Sequence, residues 1–423
     1  MIPWRDRVPE CNLSAQRSRT PDHESMRVLY AQAVFGEEEI EAVIDVLRNR
    51  PLSLMDGESV AEFEGGVAKL FGKRHGLMVN SGSSANALAL GALSLPAGSE
   101  IITPVLTFAT TVSPIVQQGY VPAFVDVETG TYNVDAAHVE RMINSRTRAL
   151  MIPNLIGNLP DWRALRDIAD RHSLMIIEDS ADTIGSLIHS TPSGRLTDVS
   201  TTSFYASHVM TCAGFGGAAC FGRDDLARRA KLLRGWGRAS SVLKNSEDVE
   251  SRFGSVVDGI EYDAKFVFEA IGYNFLPSEI AAAFGLVQLR RLPEYLARRK
   301  RNFQRLREFF SAYEEWFILP RQRAEVETAW LALPLTVRPG APFSRREMQV
   351  FLEQNSIQTR TVFTGNILRQ PGFAGINRRE ASGGYPNADA VMRGGLLLGC
   401  HQGMTEAQMD YMCERFREFA NQH

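Results

Sequence analysis

The sequence predicts an α/β protein, with a mainly parallel sheet covered by helices and a smaller α+β domain after it. Three observations carry this. Between residues 75 and 221, short strand-like runs alternate with helical stretches at the spacing of βαβ units, which places helices on both faces of a parallel sheet. The chain has 423 residues, 44 % of them hydrophobic, enough for a large core. Beyond about residue 300 the pattern changes to short strands and separate helices. The expected organisation is an N-terminal arm and helix (1–55) packed near the small domain, a large domain (56–300) and a small C-terminal domain (301–423).

The elements follow in order. Residues 1–27 are polar, with prolines at 3, 9 and 21, and read as an irregular arm. Gly36-Glu37-Glu38-Glu39 opens a helix to about Asn49, with Ile40, Val43, Ile44 and Leu47 on one face. Its acidic cluster suits the positive end of the helix, and Pro51 stops it. A second helix, over about 57–71, spaces Val60, Phe63, Val67 and Leu70 helically and closes at Gly72. Strands are expected at 75–80, 100–104, 122–127, 147–153, 173–179, 199–205 and 217–221. Helices are expected over 85–95, from 107–111 onward, and over 160–172 with Trp162, Leu165 and Ile168 inward. Residues 240–265 are polar and weakly periodic, so they read as a long excursion; such loops are usually functional or mobile. Pro277 to about Leu292 forms a helix with Ile280, Ala283, Phe284 and Val287 on one face, and Pro293 limits its run. Strands near 329–336 and helices over 345–355 and 404–420 complete the chain. No internal repeat is evident.

Composition excludes several classes. The net charge is −3 and there is no long basic run, so nothing marks a nucleic-acid partner. A small substrate containing a nucleotide remains compatible, because it needs only a local site. The five cysteines are dispersed and form no CxxC pair, which argues against a disulfide framework and a compact thiolate metal site. The N-terminus MIPWRDRVPE lacks the apolar run of a secretory signal, and no stretch reaches the ~18 apolar residues of a membrane span. A soluble cytoplasmic protein without a metal site is expected.

Several residues are candidates for chemistry. Asn80-Ser81-Gly82-Ser83-Ser84-Ala85-Asn86 joins a strand to a helix, where free N–H groups, the helix dipole and the Ser83 and Ser84 hydroxyls can hold a phosphate. Small polar residues are equally common at any such turn. Phe108 opens the next helix, either as a stacking platform for a planar group or as core. Glu178-Asp179-Ser180-Ala181-Asp182 ends an apolar strand, where a carboxylate is costly unless paired. Asp179 could meet a protonated ring nitrogen; the alternatives are a metal or a helix cap. Ser203 and His208 follow the next strand, and His208 alone reads as a loop histidine. Asn274, in Gly272-Tyr273-Asn274-Phe275, could reach an anion, including one across a subunit interface. Arg360 is a candidate contact to a phosphate or carboxylate.

Together, VNSGSSAN (79–86), EDSAD (178–182), TTSFYASH (201–208) and GYNFLPSE (272–279) resemble the DegT/DnrJ/EryC1/StrS sugar aminotransferase family over about residues 30–300. The resemblance implies a fold-type I pyridoxal-phosphate (PLP) fold and a homodimer with composite sites. It places Ser83, Ser84 and Ser203 at the cofactor phosphate, Phe108 on the ring, Asp179 at the pyridine nitrogen and Asp182 near the ring hydroxyl. Asn274 would reach the phosphate of the neighbouring subunit's cofactor.

His208 falls on the family's lysine position. An imidazole has no primary amine and cannot anchor the cofactor covalently, but it can carry protons. This resembles two histidine-bearing groups of 3-dehydratases acting on nucleotide-linked 4-keto-6-deoxyhexoses. One carries an iron–sulfur cluster; the other does not and takes its amino group from glutamate. The cluster group has a cysteine where Ala181 stands and more cysteines where Ala239-Ser240-Ser241-Val242-Leu243 stands, and such a cluster needs its thiolates. The expectation is therefore a cluster-free enzyme using pyridoxamine phosphate (PMP), a nucleotide-linked keto sugar and glutamate. Two departures touch the substrate side. Phe215 replaces an acidic residue before Gly216-Gly217, in a loop one residue longer than usual, and the turn Asn154-Leu155-Ile156-Gly157-Asn158 lacks the usual histidine.

Overall fold

The computed structural model describes residues 26–50, 54–243 and 248–423. Most of the expected arm at 1–27, and Pro51, lie outside the described residues. The helices are α1 (Glu37–Asn49), α2 (Glu58–Leu70), α3 (Gly82–Leu93), α4 (Ala109–Gln117), α5 (Ala136–Met142), α6 (Trp162–His172), α7 (Asp224–Arg234), α8 (Val249–Phe253), α9 (Glu279–Ser311), α10 (Arg345–Gln354), α11 (Pro386–Gly394) and α12 (Glu406–Ala420). The strands are β1 (His75–Val79), β2 (Glu100–Pro104), β3 (Val121–Val125), β4 (Thr147–Pro153), β5 (Met175–Ser180), β6 (Leu187–Ile188), β7 (Thr191–Pro192), β8 (Val199–Ser203), β9 (Gly217–Phe221), β10 (Ser255–Val257), β11 (Ile260–Tyr262), β12 (Phe317–Ile318), β13 (Val326–Glu327), β14 (Ala332–Val337), β15 (Thr359–Thr361) and β16 (Gly395–Gly399).

Seven strands form the main sheet in the order β1-β9-β8-β5-β4-β2-β3. Only β9 is antiparallel to its neighbours; the other adjacent pairs are parallel. Successive residues of a strand feed opposite faces. Leu77 and Val79 join α3 and α7 in one core, while Met78 joins α2 and α9 in another. Ile102, Ile152 and Ile176 pack on α5 and α6, while their neighbours Ile101, Met151 and Ile177 face α3. Burial on both faces is what produces near-continuous apolar strands.

A second sheet, β12-β14-β16-β15, is antiparallel and covered by α10 and α12. Helix α9 joins the two layers. Its first half buries Ala281, Ala282 and Leu292 against the main sheet, and its second half buries Leu306 and Phe310 against the small one. Pro293 therefore does not end this helix, contrary to the sequence expectation. An interior proline costs about 3 kcal/mol, and burial at both ends outweighs it. Residues 240–265 also hold more than a loop: α8 and the β10–β11 hairpin lie there. Helices α5, α7 and α11 were not evident as sequence patterns; the first spans only seven residues and gives too few periods. No helix of the described residues is long and apolar enough to cross a membrane.

The junction of β1, α3 and β9 is close-packed. A Cβ on Gly217 would lie 2.4 Å from the Ser81 carbonyl oxygen, and one on Gly82 would lie 2.6 Å from the Ser203 Cβ. Gly217→Ala is expected to cost about 1–3 kcal/mol through overpacking, read as a lower thermal midpoint; an unchanged midpoint would show that the junction is loose.

Candidate active site

The carboxyl ends of β5 and β8 and the amino ends of α3 and α4 converge on a cavity of about 470 Å³. Ligands in parallel α/β sheets collect at this position. Ser83, Phe108, Asp179, Asp182, Ser203 and His208 all line it. Ser84 does not: its hydroxyl and N–H are both bonded to the Ser81 hydroxyl, at 3.0 Å each, as part of the α3 cap. Asn274 is exposed and outside the cavity, bridged to Gly235.

The strand alternation separates the two acids that end β5. Glu178 turns to the far face, near Ser193 and Lys73, where burial pushes its carboxyl up to about 7. Asp179 turns into the cavity, so the two form no joint metal site. Asp179 Oδ2 accepts bonds from Asn86 Nδ2 and Thr111 Oγ1, both 2.8 Å, and Oδ1 accepts one from the Ala181 N–H at 3.1 Å. Asn86 is itself fixed by the Thr201 hydroxyl at 2.6 Å. Burial raises the Asp179 carboxyl despite these donors. Asp182 accepts the Ile156 N–H at 2.8 Å, and burial, with Asp179 nearby, pushes it up to about 7. Neither acid has an ion-pair partner among the described residues.

Ile156 lies in the turn after β4 that the sequence marked as unusual. Its φ is 58°, in the left-handed region, and it is fully buried. A β-branched residue there is strained, at a cost of about 1–3 kcal/mol. The strain aims its N–H at Asp182 while its carbonyl accepts the Leu331 N–H at 2.8 Å.

At the opposite end, the amino terminus of α3 meets Ser203 across Gly82, leaving a small concave corner rimmed by Ser83 and Ser203. The helix dipole and N–H groups favour an anion there. Phe108 caps α4 and is 53 % exposed into the cavity, edge-on to Phe363 at 6.1 Å. Its ring is thus open to the cavity and not packed in a core.

His208 follows β8 in a turn held by its N–H to the Tyr205 carbonyl, 3.0 Å, and by the buried Val209, Met210 and Cys212. Its Nδ1 has no described partner. Burial pushes the imidazole down to about 4; a backbone contact to Ser203 opposes this and the Arg299 guanidinium adds to it. This low basicity keeps the imidazole neutral at pH 7 and makes its protonated form a strong acid. Among the described residues no lysine lines the cavity. Sequence reasoning gave no role to Thr111, Tyr30 or Tyr205, which the fold brings to the site from distant segments. Tyr30, Tyr205 and Phe108 also line an outer cavity of about 690 Å³ that includes Arg360.

This architecture is the fold-type I PLP-dependent transferase fold. It superposes on the structure of E. coli GDP-4-keto-6-deoxy-D-mannose-3-dehydratase with bound hydrated PLP, with a TM-score of 0.83 and 24 % identity, covering 92 % of this chain and 100 % of that one. Residues 34–417 match the DegT/DnrJ/EryC1/StrS aminotransferase family, and the chain belongs to that family. Its relatives include the dTDP-4-dehydro-2,6-dideoxy-D-glucose 3-dehydratase of Saccharopolyspora spinosa, 35 % identical over 92 % of this chain and 85 % of that protein. They also include the GDP-perosamine synthase of Caulobacter vibrioides, 32 % identical over 84 % and 88 %.

A carboxyl raised to about 7 in the folded state contributes stability that is fully present below its unfolded value near 4 and is lost as pH rises through 7. Asp182→Asn keeps an acceptor for Ile156 and removes the charge. It should raise the melting temperature of the cofactor-free protein by about 1–3 °C, roughly 1 kcal/mol, at pH 8.5 and by less at pH 5. Equal gains at both values would show that the charge is not the cause.

Proposed function

We propose that this protein catalyses the PMP-dependent 3-dehydration of a nucleotide-linked 4-keto-6-deoxyhexose, with glutamate restoring the amine form of the cofactor. The observation that carries this is a cavity lined by two carboxyl groups, Asp179 and Asp182, without an ion-pair partner among the described residues, and a histidine where a lysine would anchor the cofactor. The residues present fit such a cofactor. Asp179 would hold the ring nitrogen protonated, Asp182 would face the ring hydroxyl, Phe108 would stack on the ring, and Ser83, Ser203 and the α3 terminus would hold the phosphate. Ser84 would serve there only through the cap it forms with Ser81.

The bound cofactor supplies an amine that condenses with the C4 ketone and a cationic ring that stores the electrons. The protein does the rest. His208 would take up the proton that the amine-bearing carbon of the bound cofactor releases. Its depressed basicity then favours handing that proton to the C3 hydroxyl oxygen, which leaves as water. One imidazole acting as base and then acid is ordinary general catalysis, worth about 10²–10⁴-fold. The sugar leaves as a 3-deoxy-4-keto product after hydrolysis, the nitrogen leaves as ammonia, and glutamate becomes 2-oxoglutarate. A lysine would compete by holding the cofactor covalently. The absence of cysteine at Ala181 and across 239–243 supports chemistry without an iron–sulfur cluster.

The reading includes a homodimer. Val256, Ile260, Phe266, Phe268 and Ile271 form an exposed apolar strip along the segment that leads to Asn274. Strips of this kind mark interaction sites, and a second copy seated there would put Asn274 to use. The aminotransferase reading is favoured by the identity to the perosamine synthase, and the lack of a lysine among the described residues of the cavity weighs against it.

Purified protein incubated with PMP, glutamate and several nucleotide-linked 4-keto-6-deoxy sugars should give a product that has lost the C3 oxygen without gaining nitrogen. Nitrogen gain would establish transamination instead. His208→Asn should lower turnover by about 10²-fold or more, and His208→Lys should give a borohydride-stable mass adduct with PLP while suppressing dehydration. Full activity in His208→Asn would remove this residue from the chemistry.

A further inference from the structure

Arg299 of α9 is fully buried and has no acidic partner among the described ion pairs. Its Nε donates to Gln402 Oε1 at 2.7 Å, and its Nη1 to the Leu331 carbonyl at 3.0 Å. Gln402, also buried, donates from Nε2 to the Val209 carbonyl at 3.0 Å. Val209 directly follows His208. Leu331 lines the cavity and continues through Ile156 to Asp182. A single guanidinium therefore ties together two walls of the cavity, one carrying His208 and the other Asp182.

Burying an unpaired cation costs several kcal/mol, and an apolar side chain of similar volume would serve stability better. What arginine offers is a rigid planar fork that reaches several acceptors at fixed angles. We propose that Arg299 and Gln402 are positioning residues that hold the His208 turn and the Asp182 wall at a working separation. This rests on His208 being the proton carrier. The cation also reinforces the low basicity of His208. The other titratable groups facing the imidazole are Tyr205, with ring centres 5.8 Å apart, and Asp179, Asp182 and Tyr30 around the same cavity.

Gln402→Glu separates positioning from support of the fold. It keeps an acceptor for Arg299 and neutralises the cation, but loses the donor to Val209. Its melting temperature should equal or exceed that of the wild type, while kcat falls roughly 10-fold or more, as sub-ångström misplacement allows, and KM changes less than about 2-fold. The His208 signal, followed by ¹⁵N NMR of histidine-labelled protein and assigned with His208→Asn, should titrate at higher pH. Arg299→Lys keeps the charge without the fork, so kcat should fall while the His208 titration stays low. Wild-type kcat and titration in Gln402→Glu would overturn the proposal, as would wild-type kcat in a folded Arg299→Lys. If Arg299→Lys does not fold, Gln402→Glu decides. The NMR readout needs no substrate, so it stands even if the product shows that the reaction is not a dehydration.

Discussion

The site depends on one burial: Asp179 held in the cavity at the end of β5. Three donors from separate segments point at it, Asn86 from α3, Thr111 from α4 and the Ala181 backbone. They orient the carboxylate without neutralising it. Hydrogen bonds recover part of the desolvation cost of a buried charge, and a cation recovers more. The fold thus presents a hydrogen-bonded carboxyl group to the cavity, with α3 and α4 placed so that their donors reach it.

The surrounding features raise the same tension between stability and function. Asp182 is held through a strained Ile156, and Arg299 is buried without a carboxylate partner among the described residues. His208 stays neutral because charging it would mean desolvating a second cation near the first. Each is unfavourable for the empty protein, and they lie at one site, as expected where a structure is organised around something it binds. The apolar cores on either side of the sheet and around the small sheet supply the surplus stability that sustains them.

The histidine sharpens the functional reading through its environment. An imidazole near its ordinary basicity would divide its time between acid and base. Burial removes that ambivalence: it is a weak base, neutral at rest, and once charged it has a strong drive to release its proton. This suits a step in which a hydroxyl must depart as water, and suits a covalent anchor not at all.

The sequence by itself determined the alternation of strands and helices, the main-sheet strands to within a residue or two, and the motifs that place Ser83, Phe108, Asp179, Asp182, Ser203 and His208 at strand ends and helix starts. These depend on local periodicity and on chemistry carried by neighbouring residues, so they are legible one segment at a time. The tertiary structure decided what depends on distant partners. Pro293 continues a helix because two cores grip it. Ser84 turns to Ser81 instead of the cavity because the α3 cap claims it. Glu178 and Asp179 part to opposite faces, and Arg299, Gln402 and Ile156 acquire meaning only through groups far away in sequence. Burial is a property of the folded chain, and it is burial that lowers the basicity of His208 and raises that of the carboxylates around it.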